Sequence, residues 1–172
     1  MDVYSDNKNI TVRFNFQSEQ NNFNRPSGRA ILSGGFYIYR KREGNMKRAL
    51  IVDDEVIKYM EIKKALEFSG IREIQIVGDQ EAVWEEIEKA ENKGEKFDLI
   101  VTDMHYPLRE REKPNPDAGF ILLDEMEKRG YQIPVIICSS LNFREPRALG
   151  CVWYRENESM EFDFKDVLQR IK

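Results

Sequence analysis

The chain has 172 residues, 41% of them hydrophobic and 34% charged, with a formal net charge of −4. That size suits one ordinary domain with an appendage, and the hydrophobic share can supply a core. No apolar run approaches the ~20 residues that a membrane helix needs, and the start Met1-Asp2-Val3-Tyr4-Ser5-Asp6-Asn7 lacks the basic and apolar stretches of a signal peptide.

Residues 1–45 are rich in Asn and carry a surplus of base, so the rest of the chain is the acidic part. An acidic main domain argues against nonspecific nucleic-acid binding, and the short cluster Arg40-Lys41-Arg42 is expected as a solvated linker. Val12, Phe14 and Phe16 alternate with polar residues, as do Phe36 and Ile38 with their tyrosine neighbours, which predicts two short strands. A lone hairpin is marginal in water. Residues 1–45 are therefore expected to be an extension, with Glu43-Gly44-Asn45 as the boundary and 46–172 as the main domain.

From Lys47 the pattern becomes strand–helix alternation. Ala49-Leu50-Ile51-Val52 is a continuous apolar run, as in a strand buried on both faces of a parallel sheet. A helix follows with Tyr59, Ile62, Ala65 and Leu66 on one stripe, closed by Gly70. Glu73 to Val77 predicts the second strand, and Val83, Ile87 and Ala90 mark a helix ending near Gly94. Phe97 to Val101 is the third strand, Phe120 to Lys128 a helix, Pro134 to Cys138 the fourth strand and Cys151 to Tyr154 the fifth. Leu141 to Gly150 is short for a fourth helix, and Pro146 limits it further. A last helix starts near Asp163 and turns Phe164, Val167, Leu168 and Ile171 inward. The alternation predicts an α/β fold: a doubly wound five-stranded parallel sheet with helices on both faces and an N-terminal extension. Cys138 and Cys151 sit in apolar contexts without metal-ligand spacing, as core thiols of a cytoplasmic protein would.

In an open parallel sheet the ligand site lies beyond the carboxyl ends of the strands. Asp53 and Asp54 follow the first strand, Asp103 the third and Ser139-Ser140 the fourth. Converging carboxylates repel one another and call for a cation. All-oxygen ligation suits Mg2+ or Mn2+. Asp103 is the expected nucleophile, since a carboxylate can form an acyl phosphate while a cation neutralises the transferring group.

Ile51-Val52-Asp53-Asp54-Glu55, Val101 to Pro107 and Pro134 to Ser139 resemble, in order, the three signature segments of response-regulator receiver domains. The resemblance covers about residues 46–172 and implies the flavodoxin-like receiver fold. It implies that Asp53 and Asp54 hold the metal, with the backbone carbonyl of His105 as a further ligand. It also implies that Asp103 is the phosphoacceptor and one of the metal-holding acids, Ser139 the hydroxyl switch and Tyr154 the aromatic switch.

Three features depart from the family pattern. The lysine expected just after the fifth strand is missing from Tyr154-Arg155-Glu156-Asn157, and Arg155 is the candidate substitute, although Arg and Lys differ in geometry. The loop from Pro107 to Gly119 is long and charged, as a solvated excursion or a partner-docking loop would be. The fourth helix, part of the surface that partners usually read, is short. The only histidine, His105, is expected to border the site with its side chain and to contribute its backbone.

The function expected from the resemblance is that of a stand-alone phosphorelay response regulator, not an enzyme. It would accept a phosphoryl group from a histidine kinase or phosphotransfer protein and signal through a partner surface, with no direct contact to nucleic acid or membrane. The alternative is a pseudo-receiver that keeps the fold as an interaction scaffold. A phosphohydrolase with an aspartate nucleophile would want its general acid two residues after the nucleophile on the first strand, where this chain has Asp53-Asp54-Glu55. A dinucleotide site would want a Gly-rich turn there.

Overall fold

The computed structural model describes residues 2–6, 9–13 and 46–171. Near the N-terminus, β1 (Asp2–Asp6) and β2 (Asn9–Arg13) form an antiparallel pair with Tyr4 opposite Thr11. The strand expected around Val12 overlaps β2, whereas Phe14, Phe16, Phe36, Ile38 and the basic cluster lie outside the described residues.

The main unit is a five-stranded parallel sheet of β3 (Arg48–Val52), β4 (Glu73–Val77), β5 (Leu99–Thr102), β6 (Val135–Ser139) and β7 (Gly150–Trp153), in the order β4-β3-β5-β6-β7. β3, β5 and β6 are the unbroken apolar runs, and Ala49 to Val52, Leu99 to Val101 and Ile136 to Cys138 are completely buried. Edge strand β4 alternates instead, with Glu73 and Gln75 toward solvent.

Successive strand residues point to opposite faces, so the sheet feeds two cores. Leu50, Val52 and Ile100 meet α2 (Gln80–Asn92) and α3 (Ala118–Arg129) on one face. Ala49, Ile51 and Leu99 meet α1 (Val56–Phe68) and α4 (Glu161–Leu168) on the other. Gly70 ends α1 as its spacing predicts: its φ is 93°, and the Ile71 amide returns to the carbonyl of Leu66 at 3.0 Å.

Four α-helices and the 3-10 turn Gln169–Ile171 are present among the described residues, against five helices anticipated. The missing helix is the one between β6 and β7, where the chain runs through turns. Pro146 withholds an amide, and the Glu145 carboxylate accepts the backbone N–H of Arg147 at 2.9 Å, a local bond that competes with a helical one. Phe143 from this segment meets Phe120 of α3 edge-on, with ring centroids 6.0 Å apart.

β3 pairs with β4 on one side and β5 on the other, so the chain changes direction in the sheet at that point. Ligand crevices of open α/β sheets form there, beyond the strand ends. Asp53 follows β3 and Asp103 follows β5, which places both at this crevice.

Candidate functional site

The carboxylates are fixed first by backbone. The Asp53 amide donates to the Val77 carbonyl at 3.0 Å and the Asp103 amide to the Val52 carbonyl at 2.9 Å, extending the ladder one residue past each strand. Asp53 Oδ1 accepts the Glu55 amide at 2.8 Å, a turn that launches α1. Asp53 and Asp103 are 1% and 8% exposed, so both acids are buried.

The partner that compensates them comes from α1. The Lys58 ammonium lies 2.6 Å from Asp103 Oδ1 and 3.2 Å from Asp53 Oδ2. Lys58 is 3% exposed. Burial works against its charge, but the Asp53 and Asp103 carboxylates outweigh burial and hold its pKa above the usual lysine value. One ammonium serves two acids, however. Burial pushes the Asp53 carboxyl up to about 6, the pull of Lys58 and the Glu55 amide notwithstanding. Asp53 Oδ2 has no hydrogen-bond partner among the described residues, and the ammonium is its ionic neighbour.

The other anticipated residues fall into two groups. Ser139 is buried at the end of β6, where its Oγ accepts the Leu141 amide at 3.2 Å. Tyr154 donates its amide to the Ser139 carbonyl at 2.8 Å, and its largely buried ring lies 5.6 Å from the Lys58 ammonium. Asp54 and the His105 side chain are exposed. Arg155 points elsewhere: its guanidinium pairs with Glu158 at 2.8 Å and stacks 4.8 Å from the Trp153 ring.

Lys58 was not anticipated as a site residue. The signal was present, because Lys58 precedes Ile62 by four residues and Ala65 by seven, on the buried stripe of α1. A lysine at the site end of an apolar stripe, four residues after an acidic pair, marks a buried cation.

Asp103 also depends on a close approach behind it. A Cβ on Gly119, in the first turn of α3, would lie 2.6 Å from the Asp103 carbonyl oxygen and 2.8 Å from Met104 Sδ. Tyr106 is fully buried, and its hydroxyl donates to the Ala118 carbonyl at 3.3 Å, with the Thr102 hydroxyl also 3.3 Å away. Asn115 returns to Tyr106 through its amide at 2.9 Å, closing the charged loop at its base while residues 109–114 stay exposed. Burial pushes the Cys138 thiol up to about 12, which fits an inert core thiol.

Among the described residues, no three His, Cys, Asp or Glu side chains are already gathered as a metal cage. Asp54 faces solvent, and the Lys58 ammonium sits between the other two acids. The donors at hand are nonetheless all oxygen, and Asp53 Oδ2 lacks a hydrogen bond among the described residues. Mg2+ keeps several waters and takes only one or two carboxylates, so the donor set fits such an ion without a closed cage. A groove lined by Ile87, Phe97, Tyr131 and Ile133 lies at the opposite, strand-start end of the sheet and takes no part in this chemistry.

Fold and site together define an α/β class in which buried acids sit at the crevice of a parallel sheet. A family model, response regulator receiver domain, matches residues 49–149, and the chain belongs to that family. No curated protein matches it. Among solved structures it is similar to the chemotaxis response regulator CheY4 of Vibrio cholerae, at 19% identity and a TM-score of 0.53, covering 74% of this chain and 100% of that one. It is also similar to the phosphorylated cyanobacterial phytochrome response regulator RcpA, at 20% identity and a TM-score of 0.55, covering 73% and 93%. The receiver domain of the histidine kinase CKI1 from Arabidopsis thaliana, complexed with Mg2+ and BeF3-, gives 18% identity and a TM-score of 0.50 over 73% and 89%. At these identities the structural likeness speaks for the fold. No helix among the described residues is long and apolar enough to cross a membrane.

Proposed function

We propose that this receiver is phosphorylated on Asp103 by a histidine kinase or phosphotransfer protein of the cytoplasm, in a Mg2+-dependent reaction, and that a protein partner reads the result. The observation that carries this reading is the placement of Asp103: at the crevice of the sheet, buried, paired with an ammonium and sharing it with Asp53. Structural acids at strand ends need no such arrangement.

In this reading Asp53, Asp54, Asp103 and the backbone carbonyl of His105 hold the ion. When bound, Mg2+ supplies charge neutralisation and orientation for the transferring phosphoryl group. Ser139, held by the Leu141 amide, supplies a hydroxyl that hydrogen-bonds a phosphoryl oxygen. Tyr154, hydrogen-bonded through its backbone to Ser139, couples a shift of that hydroxyl toward the phosphoryl group to the last strand.

The test is intact-mass analysis after incubation with phosphoramidate and Mg2+. One phosphoryl adduct is expected on the wild type and none on folded Asp103→Asn. An adduct mapped to His105 or Ser139 overturns the reading. The functional unit is proposed to be residues 46–172, so a chain beginning at Met46 should fold and accept the same label. An insoluble or molten product would make residues 1–45 integral to the fold.

A further inference from the structure

Phosphoryl transfer to a carboxylate needs positive charge on two sides of the incoming group. A divalent ion can supply one. The second must come from a side chain that reaches the acceptor oxygen, and the segment after β7 offers only Arg155, which is turned toward Glu158 and Trp153. We propose that Lys58, in the first turn of α1, is the cation that pairs with the phosphoryl group on Asp103. The inference rests on the phosphoacceptor reading above.

The geometry supports it in three ways. The ammonium is 2.6 Å from the acceptor oxygen Asp103 Oδ1. An ammonium has three N–H donors, and the acids at the site engage it through Asp103 Oδ1 and Asp53 Oδ2, leaving donor capacity for a phosphoryl oxygen. The ring of Tyr154, the first residue past β7, stands 5.6 Å from the ammonium. The two sites are thus neighbours in space, and a lysine at either one would bring its charge to the same acceptor.

In the step itself, an Asp103 oxygen attacks phosphorus and the P–O bond of the acyl phosphate forms. The P–N bond of the donor breaks, whether the donor is a phosphohistidine or phosphoramidate. The electron pair leaves with nitrogen, which takes its proton from solvent or already carries it. Lys58 stays protonated throughout. It transfers nothing, and its charge offsets that on the phosphoryl oxygens in a buried setting where such a contact is strong. Because Lys58 belongs to α1, the phosphoryl group is tied to that helix and not to the loop after β7. The scaffold alternative rests on the missing lysine, and this lysine removes its basis.

The test compares full-length variants by initial rate of adduct formation with phosphoramidate and Mg2+, each checked for folding by circular dichroism. Lys58→Met is expected to be slowed roughly a hundredfold, the scale of losing one charge-stabilising donor, with Lys58→Arg intermediate. The double variant Lys58→Met with Tyr154→Lys is expected to regain at least about tenfold of that loss, because it returns an ammonium from the neighbouring strand end. A purely structural lysine would give no such rescue.

A labelled wild type with Lys58→Met equally fast overturns this inference alone, as does a loss that follows Arg155→Ala instead. An unlabelled wild type overturns the phosphoacceptor reading and this inference with it. Should Lys58→Met fail to fold, the 15N resonance of the Lys58 ammonium in the wild type decides. It should shift when Mg2+ and beryllofluoride are added together, and a resonance that stays in place overturns the proposal.

Discussion

Two lysines on successive crossover helices, on opposite faces of the sheet, each face two acids, yet they do opposite things. Lys89 of α2 lies 3.0 Å from Glu86 and 3.3 Å from Glu85 and is more than half exposed. Lys58 of α1 makes contacts of similar length to Asp53 and Asp103 with its side chain 3% exposed. In water the first pairing is screened and brings little, since solvent serves each charge almost as well. Inside the protein each charge has been stripped of water, so removing one partner leaves the others stranded. Distance alone does not separate the two clusters; burial does.

Deleting each cation in turn tests burial as the cause. Lys58→Ala should lose about 3–5 kcal/mol of unfolding free energy in metal-free neutral buffer, as buried acids lose their counter-charge. Lys89→Ala should leave the urea midpoint where it was. Equal midpoints for the two variants would show that the site is hydrated and not the buried cluster described.

A smaller effect tests the shared ammonium. With its folded pKa pushed up to about 6, Asp53 binds its proton more tightly in the folded protein than in the unfolded chain. Its contribution to stability is therefore fully present below about pH 4 and is lost as pH rises through about 6. Asp53→Asn removes this dependence. In chelator-containing buffer the stability of the variant relative to wild type should rise by about 2–3 kcal/mol between pH 4 and pH 7. A constant difference across that window would mean that Lys58 neutralises Asp53 completely.

The smallest effect probes the backbone behind Asp103. Gly119→Ala places a methyl group 2.6 Å from the Asp103 carbonyl oxygen, so α3 or the loop must move. A loss of about 1–2 kcal/mol is expected, with slower phosphorylation in a protein that still melts cooperatively. A melting curve and a labelling rate both like wild type would show that the contact relaxes without cost.

Much of this fold is legible in sequence because its signals are local. Apolar runs such as Ala49 to Val52 and Ile136 to Cys138 have no amphipathic option, so they must be buried on both faces. Gly70 and Gly94 adopt the positive φ that closes α1 and α2, a demand readable from residue type. Asp53 and Asp103 follow their strands directly and Ser139 ends its own, and parallel sheets gather strand ends at one edge, so their convergence needed only the topology.

Which charge meets which depends on how the helices pack on the sheet. Position in sequence made Arg155 the natural cation for Asp103, but its guanidinium found Glu158 and the Trp153 face close by. Lys58 differs from Lys63 and Lys64 in sequence by its place on the stripe of Ile62 and Ala65, but only the packing of α1 against the sheet buries it beside both acids while the others stay exposed or half-exposed. The exchange of an expected helix for turns between β6 and β7 is by contrast local, resting on Pro146 and on the bonds from Arg147 to Glu145. Sequence set the strands, their order of appearance and the acids at their ends, because those follow from periodicity and short-range chemistry. The partner of those acids was settled by helix rotation and burial, which exist only once the sheet and its helices are assembled.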